Sequence, residues 1–121
     1  MSILVDPTSR LLSEMIQATA LRHRVLAANL ANVETPGYQA QEVTFAQALD
    51  EARDPRSQES TVPHVRASVV ADPDAPLRRD GNNVDLDRQM VKLTKNTTWH
   101  TAMIQILTSR FAALKAAMGK S

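Results

Sequence analysis

The side chains with the widest chemical repertoire are three histidines, His23, His64 and His100, since a neutral imidazole can be a metal ligand or a general base. They lie far apart, and none has a second histidine four residues away or another ligand at metal spacing. Glu14, Glu34, Asp50, Glu51 and Asp54 supply carboxylates, yet no two of them sit in an apolar context that would push their pKa values apart for acid–base work. The serines lack a nucleophile-elbow context, and three glycines are too few for a phosphate loop. Zero cysteines remove disulfides and thiolate metal sites. The expectation is a protein with no catalytic residues, no metal and no cofactor. The polar side chains whose spacing does carry information are Asn29 and Asn32, three apart and so on one helical face. Their amides can bond to carbonyls of a neighbouring segment or of the following turn, or they simply help end the helix.

Charge narrows the partners. Arg22, His23 and Arg24, and the pair Arg78 and Arg79, are the basic clusters, but the net charge is +1 and aromatic residues are only 3%, so neither a nucleic-acid groove nor a membrane surface is indicated. Asp6, Arg10 and Glu14 interrupt the N-terminal stretch, which holds neither a signal-peptide apolar core nor a spanning segment. Export, if it occurs, is expected by a route that leaves the chain uncleaved. The hydrophobic fraction of 43% is ordinary but rich in alanine, so large core-filling side chains are scarce.

Two long helices must position what polar residues there are. Steps of four and three link Leu86, Met90, Leu93, Thr97, His100, Ile104, Leu107, Phe111, Leu114 and Met118, a heptad-like seam interrupted only by Thr97 and His100. Asp85 is placed to cap this helix, Asp87 suits its first turn, and Gly119 sits where it would stop. Trp99, Met103, Ile106, Ala113 and Ala117 lie beside the seam and widen the apolar arc to roughly 160°, more than one facing helix covers. Asp6 and Pro7 read as the cap and first residue of an earlier helix running to about Val33. Thr35, Pro36, Gly37 and Tyr38 then predict a type II turn with Gly37 at positive φ, and Tyr38 packing back on the helix end.

The middle is less regular. Val43 to Ala52 reads as a short helix capped by Thr44, and Val65 to Val70 as a weak strand by alternation. Pro55, Pro63, Pro73 and Pro76 mark the stretch from Arg53 to Pro76 as loop, and Asp80, Gly81, Asn82 and Asn83 form a turn into the last helix. The expected fold is mainly α: two long terminal helices paired antiparallel as a coiled-coil-like hairpin around an irregular middle with room for that short helix and strand. Its parts are residues 1–38, 39–84 and 85–121.

Ala28-Asn29-Leu30-Ala31-Asn32-Val33-Glu34-Thr35-Pro36-Gly37-Tyr38 resembles the N-terminal signature of the bacterial flagellar rod and hook family, where a helix ending in two asparagines meets Thr-Pro-Gly-Tyr. Asp80-Gly81-Asn82-Asn83-Val84-Asp85-Leu86-Asp87, followed by Met90, is similar to the C-terminal segment of the proximal-rod branch. The resemblance implies a structural subunit of the basal-body proximal rod that polymerises through its terminal helices into a tubular drive shaft and is exported by the flagellar type III apparatus. It implies contacts with itself, with other rod proteins, and with the adaptor FliE and the export gate at the rod base. Asn29, Asn32, Thr35, Pro36, Gly37 and Tyr38, with Leu93, Ile104, Leu107, Phe111 and Leu114, are the expected assembly residues. Two rivals compete with this reading: a cytoplasmic helical adaptor or export chaperone shares the seam without needing export, and a muramidase or other hydrolase needs paired carboxylates in a cleft.

Overall fold

A computed structural model describes residues 7–45 and 66–119. Within them run helix α1 (Pro7–Ala31), strands β1 (Gln41–Thr44) and β2 (Ser68–Ala71), and helix α2 (Leu86–Met118). Asp6, the expected cap of α1, lies outside the described residues. At the far end α1 stops two residues before Val33: the Asn32 amide still reaches Ala28 O at 3.1 Å, while Val33 N–H bonds Leu30 O at 3.3 Å in a tightened last turn. The predicted turn follows, with Tyr38 N–H on Thr35 O at 3.2 Å and Gly37 at φ 75°.

Helix α2 has the boundaries its sequence predicts. Asp85 accepts a bond from Arg88 N–H at 3.2 Å, and Gly119 N–H closes on Lys115 O at 2.7 Å. Gly119 adopts φ −100°, so the helix ends without a left-handed residue. The polar stretch at its centre stays helical, and there Thr94, Thr97 and Thr98 turn their hydroxyls back onto the carbonyls of Met90, Leu93 and Thr94, at 3.0, 2.9 and 3.0 Å.

Strands β1 and β2 pair antiparallel, with Gln41 opposite Ala71 and Thr44 opposite Ser68. The short helix expected from Val43 is therefore corrected at its start. Val43 and Thr44 extend into β1, where Val43 is buried, and the remainder of that expected helix, from residue 46, lies outside the described residues. Pairing with β2 overrides the local capping signal at Thr44. Of the expected strand at 65–70, the part from Ser68 is present and runs one residue beyond it, as Ser68–Ala71; Arg66 and Ala67 precede the strand and Val65 lies outside the described residues.

The two helices lie antiparallel against each other, and their contacts run in opposite senses along the chain: Asn29 meets Gln89, Thr19 meets His100, and Ser9 meets Arg110. The apolar core is small and lies where α1, β1 and the approach to α2 converge, built from Val25, Leu26, Ala40, Val43 and Val84. Ala18 and Met103 continue it between the helices.

The rotation of α2 differs from the expected seam. Its buried ridge is Gln89, Asn96 and Met103, with Leu93, His100, Leu107 and Leu114 half-buried beside it. The other half of the predicted seam faces away: Met90, Ile104 and Phe111 are 48%, 41% and 44% exposed, and Leu86, Thr97 and Met118 are exposed as well.

The turn at Gly37 gives a direct check on local strain. A β-carbon there would meet nothing within 4 Å, so any cost of substitution is in the backbone alone. We expect Gly37→Val to lower stability by about 2 kcal/mol and Gly37→Asn by less than half of that, since asparagine tolerates positive φ. Urea unfolding of the purified variants reads both.

Candidate assembly site

Asn29 is fully buried near the end of α1, and its side chain is saturated. Nδ2 donates to Gln41 O at 2.9 Å and to Gln89 Oε1 at 3.0 Å, while Oδ1 accepts from Gln41 N–H at 3.0 Å and from Tyr38 Oη–H at 3.4 Å. One amide thus holds both backbone groups of a β1 residue and reaches α2. The geometry follows from the strand pairing. Asp72 N–H bonds Ala40 O at 2.9 Å, so on β1 the polar groups of Gln41 and Val43 point away from β2. Asn29 takes those of Gln41, and Arg22 Nη2 takes Val43 O at 3.0 Å.

Asn32 acts locally. Its Nδ2 bonds Ala28 O at 2.8 Å and its Oδ1 accepts from Thr35 Oγ1–H at 3.1 Å, which ends α1 and starts the turn. The two asparagines therefore divide the roles open to them in sequence. Thr35, Pro36 and Gly37 are exposed at the turn, and Tyr38 is half-buried against the end of α1.

Two residues read from sequence as part of a turn, Asn82 and Asn83, and one that the sequence did not single out, Gln89, turn out to be central. Asn82, also fully buried, spreads its Nδ2 over the carbonyls of Asn32, Val33 and Thr35 at 2.9, 3.2 and 2.8 Å, so the open end of α1 is capped from a distant segment. Arg78 Nη2 adds a further bond to Val33 O. Asn83 Oδ1 accepts from Ala40 N–H at 2.5 Å. Gln89, 1% exposed, completes the set through Asn29. The two glycine turns touch as well: Gly37 N–H bonds Asp80 O at 3.0 Å, and a β-carbon on Gly81 would come within 3.4 Å of Gly37 Cα. Repetition of Asn at 29, 32, 82 and 83 was the available signal, but asparagine is so common in turns that composition alone points to the blander role.

Further along the helix pair, Asn96 Nδ2 donates to Thr19 O at 2.9 Å. Thr19 has one hydroxyl hydrogen, directed at Ile16 O at 2.9 Å, so His100 Nδ1 is the donor in its 2.7 Å contact with Thr19 Oγ1. His100 is thus a polar position at a helix contact, and among the described residues no cluster of three or more His, Asp or Glu could hold a metal ion.

Asp72 ties the sheet to α2. Its buried carboxylate meets Lys92 Nζ at 3.1 Å, Arg88 Nη2 at 3.4 Å and the Asp74 amide at 3.1 Å. Burial is the largest single influence and pushes its pKa up, but the Asp74 N–H, Lys92 and Arg88 together hold it below the ordinary carboxylate range. Arg22 is shifted down by burial, with Glu42 opposing, and its guanidinium stacks 4.5 Å from the Phe45 ring centre.

Residues 16–39, which span the end of α1, both asparagines and the Thr-Pro-Gly-Tyr turn, match the family model for flagella basal body rod protein. The chain is 30% identical to flagellar basal body rod protein FlgB of Escherichia coli K12 over 91% of each chain. The chain belongs to the FlgB family of flagellar basal body rod proteins. FlgB of Bacillus subtilis strain 168 is 28% identical over 95% of each chain, and FlgB of Aeromonas hydrophila 25% identical over 98% of this chain and 97% of its own. Membership in the FlgB family makes the chain a structural rod component of the bacterial flagellum, located in the basal body and associated with other rod components.

Removing the Asn29 amide leaves the N–H and C=O of Gln41 and the Gln89 amide without their partner. Asn29→Ala is expected to cost about 3 kcal/mol in urea unfolding, more than Asn32→Ala, whose side chain bonds only to its own helix end and turn. The lowered pKa of Asp72 means its contribution to stability is complete at neutral pH and disappears as pH falls from the ordinary carboxylate range through the lower native value. Asp72→Asn should therefore be less stable than the parent at neutral pH, with the difference closing in strong acid; unfolding midpoints measured across that range test it.

Proposed function

We propose that this chain is a proximal-rod subunit whose fold is complete around the asparagine knot and incomplete along the outer face of α2. The observation that carries this reading is the exposed row of Met90, Ile104 and Phe111 on a helix whose neighbouring ridge of Gln89, Asn96 and Met103 is already packed on α1. At about 25 cal/mol per Å², covering such a row favours association. The terminal helical segments, 1–38 and 85–121, form the tube wall, and 39–84 lies outside it or between neighbours. Ile104 and Phe111 contact adjacent subunits. Leu93, Leu107 and Leu114, half-buried toward α1, hold the helix that presents them. Asn29, Asn32, Thr35, Pro36, Gly37 and Tyr38 set the angle at which the pair enters the wall. Neighbours are other copies and other rod proteins, with FliE and the export gate at the base; export runs through the flagellar type III apparatus without cleavage. The role is structural, without enzymatic activity, in keeping with the structural naming of the FlgB relatives.

Two adjacent positions separate folding from assembly. Ile104→Asp places a charge on the exposed row and should leave urea stability within about 0.5 kcal/mol of the parent while abolishing rod assembly and swimming. Met103→Asp, one residue away on the buried ridge, should unfold the protein instead. Normal motility with Ile104→Asp would overturn the assignment of this face.

A further inference from the structure

The other flank of α2 carries a cleft of different character. It lies between α1, β1 and α2, measures about 220 Å³, and has an apolar floor of Val25, Leu26 and Val43. Trp99, 58% exposed, forms one wall. The rim holds Arg22, Lys92 and Lys95 against a single carboxylate, Glu42, with Asp72 buried behind Lys92. Lys95 has no ion-pair partner among the described residues. A fitting guest would therefore be an apolar side chain flanked by negative charge.

The chain carries such a group. Among the exposed large apolar residues described, Leu86 alone has a carboxylate on each side, Asp85 and Asp87. Leu77 is more exposed but is followed by Arg78 and Arg79, which the cationic rim repels. Leu86 cannot fill the cleft of its own molecule. It begins the same helix whose residues Lys92 to Trp99 form the cleft wall, and a rigid helix does not fold back on itself.

We propose that the Asp85-Leu86-Asp87 start of α2 in one copy docks into the Arg22, Lys95 and Trp99 cleft of the next copy. Knob and cleft are different surfaces, so the contact is head-to-tail, and where its rotation does not close into a ring it propagates as an open helical row. This deepens the rod-subunit reading and rests on it: it names a second copy as the neighbour and a particular pair of surfaces as the joint. The row of Met90, Ile104 and Phe111 faces another direction and stays available for a different neighbour.

The chain's lack of cysteine allows a clean test. In cells expressing Asp87→Cys/Lys95→Cys, basal bodies treated with a short bismaleimide should yield linked dimers and higher multiples of this chain, absent from either single variant. Recovery of the protein in basal bodies without linked products would overturn the docking while leaving the rod assignment standing; absence of the parent protein from basal bodies would overturn the rod assignment itself. Charge exchange gives a readout independent of the cysteines. Lys95→Glu and Asp87→Lys should each reduce swimming-halo expansion at least about fivefold, and the double exchange should restore at least half of the parent rate. Normal swimming in either single variant, or a double no better than the singles, would overturn the proposal.

Discussion

A side-chain amide stands in for a missing strand. Among the described residues β1 pairs with β2 alone, and its other edge would leave the part-buried N–H and C=O of Gln41 facing α1 without partners. Asn29 satisfies both, and with its remaining capacity it bonds Gln89 and Tyr38. Because a buried amide without partners is costly, the arrangement has essentially one solution: α1, β1, the turn and α2 must meet at this point together. Asn82 and Asn83 repeat the device from the other side, closing the end of α1 and pinning Ala40. Among the described residues, three of the five largest fully buried side chains are amides, so the most buried part is held by directional bonds as well as by hydrocarbon.

That choice sets the face the molecule presents. Apolar burial is non-directional and would accept several rotations of a helix with so wide an apolar arc. Hydrogen bonds do not. Asn29 to Gln89, Thr19 to His100, Asn96 to Thr19 and Arg110 to Ser9 together fix α2 about its axis. The ridge they turn inward is partly polar, and the more apolar row of Met90, Ile104 and Phe111 is left outside. Under the proposed subunit role this division leaves the more apolar row uncovered by the molecule's own fold and open to a neighbour.

The small core explains why local geometry matters as much here. With few large side chains to bury, the turn at Gly37 and the Asp72 ion cluster carry a larger share of the work of holding segments in place. Both lie at the same end of the helix pair as the asparagine knot. The distal half, from Thr19 and His100 to Ser9 and Arg110, is a simple two-helix contact with exposed flanks.

The features legible in sequence are those decided within about one helical turn. The Asp85 cap, the length of α2, the Pro36-Gly37 turn and the approximate end of α1 depend on residues one to four apart, and each appears where expected. The motif around Asn29 also pointed to the right family. What only the tertiary structure decided was which side of α2 faces α1, and that Gln89, Asn96, Asn82 and Asn83 would be buried while Met90 and Ile104 would not. A hydrophobicity pattern ranks positions by how well they leave water. It carries no record of a carbonyl at Thr19 or an amide at Asn29, 77 and 60 residues away in the chain, whose unmet bonding capacity selected the polar ridge instead.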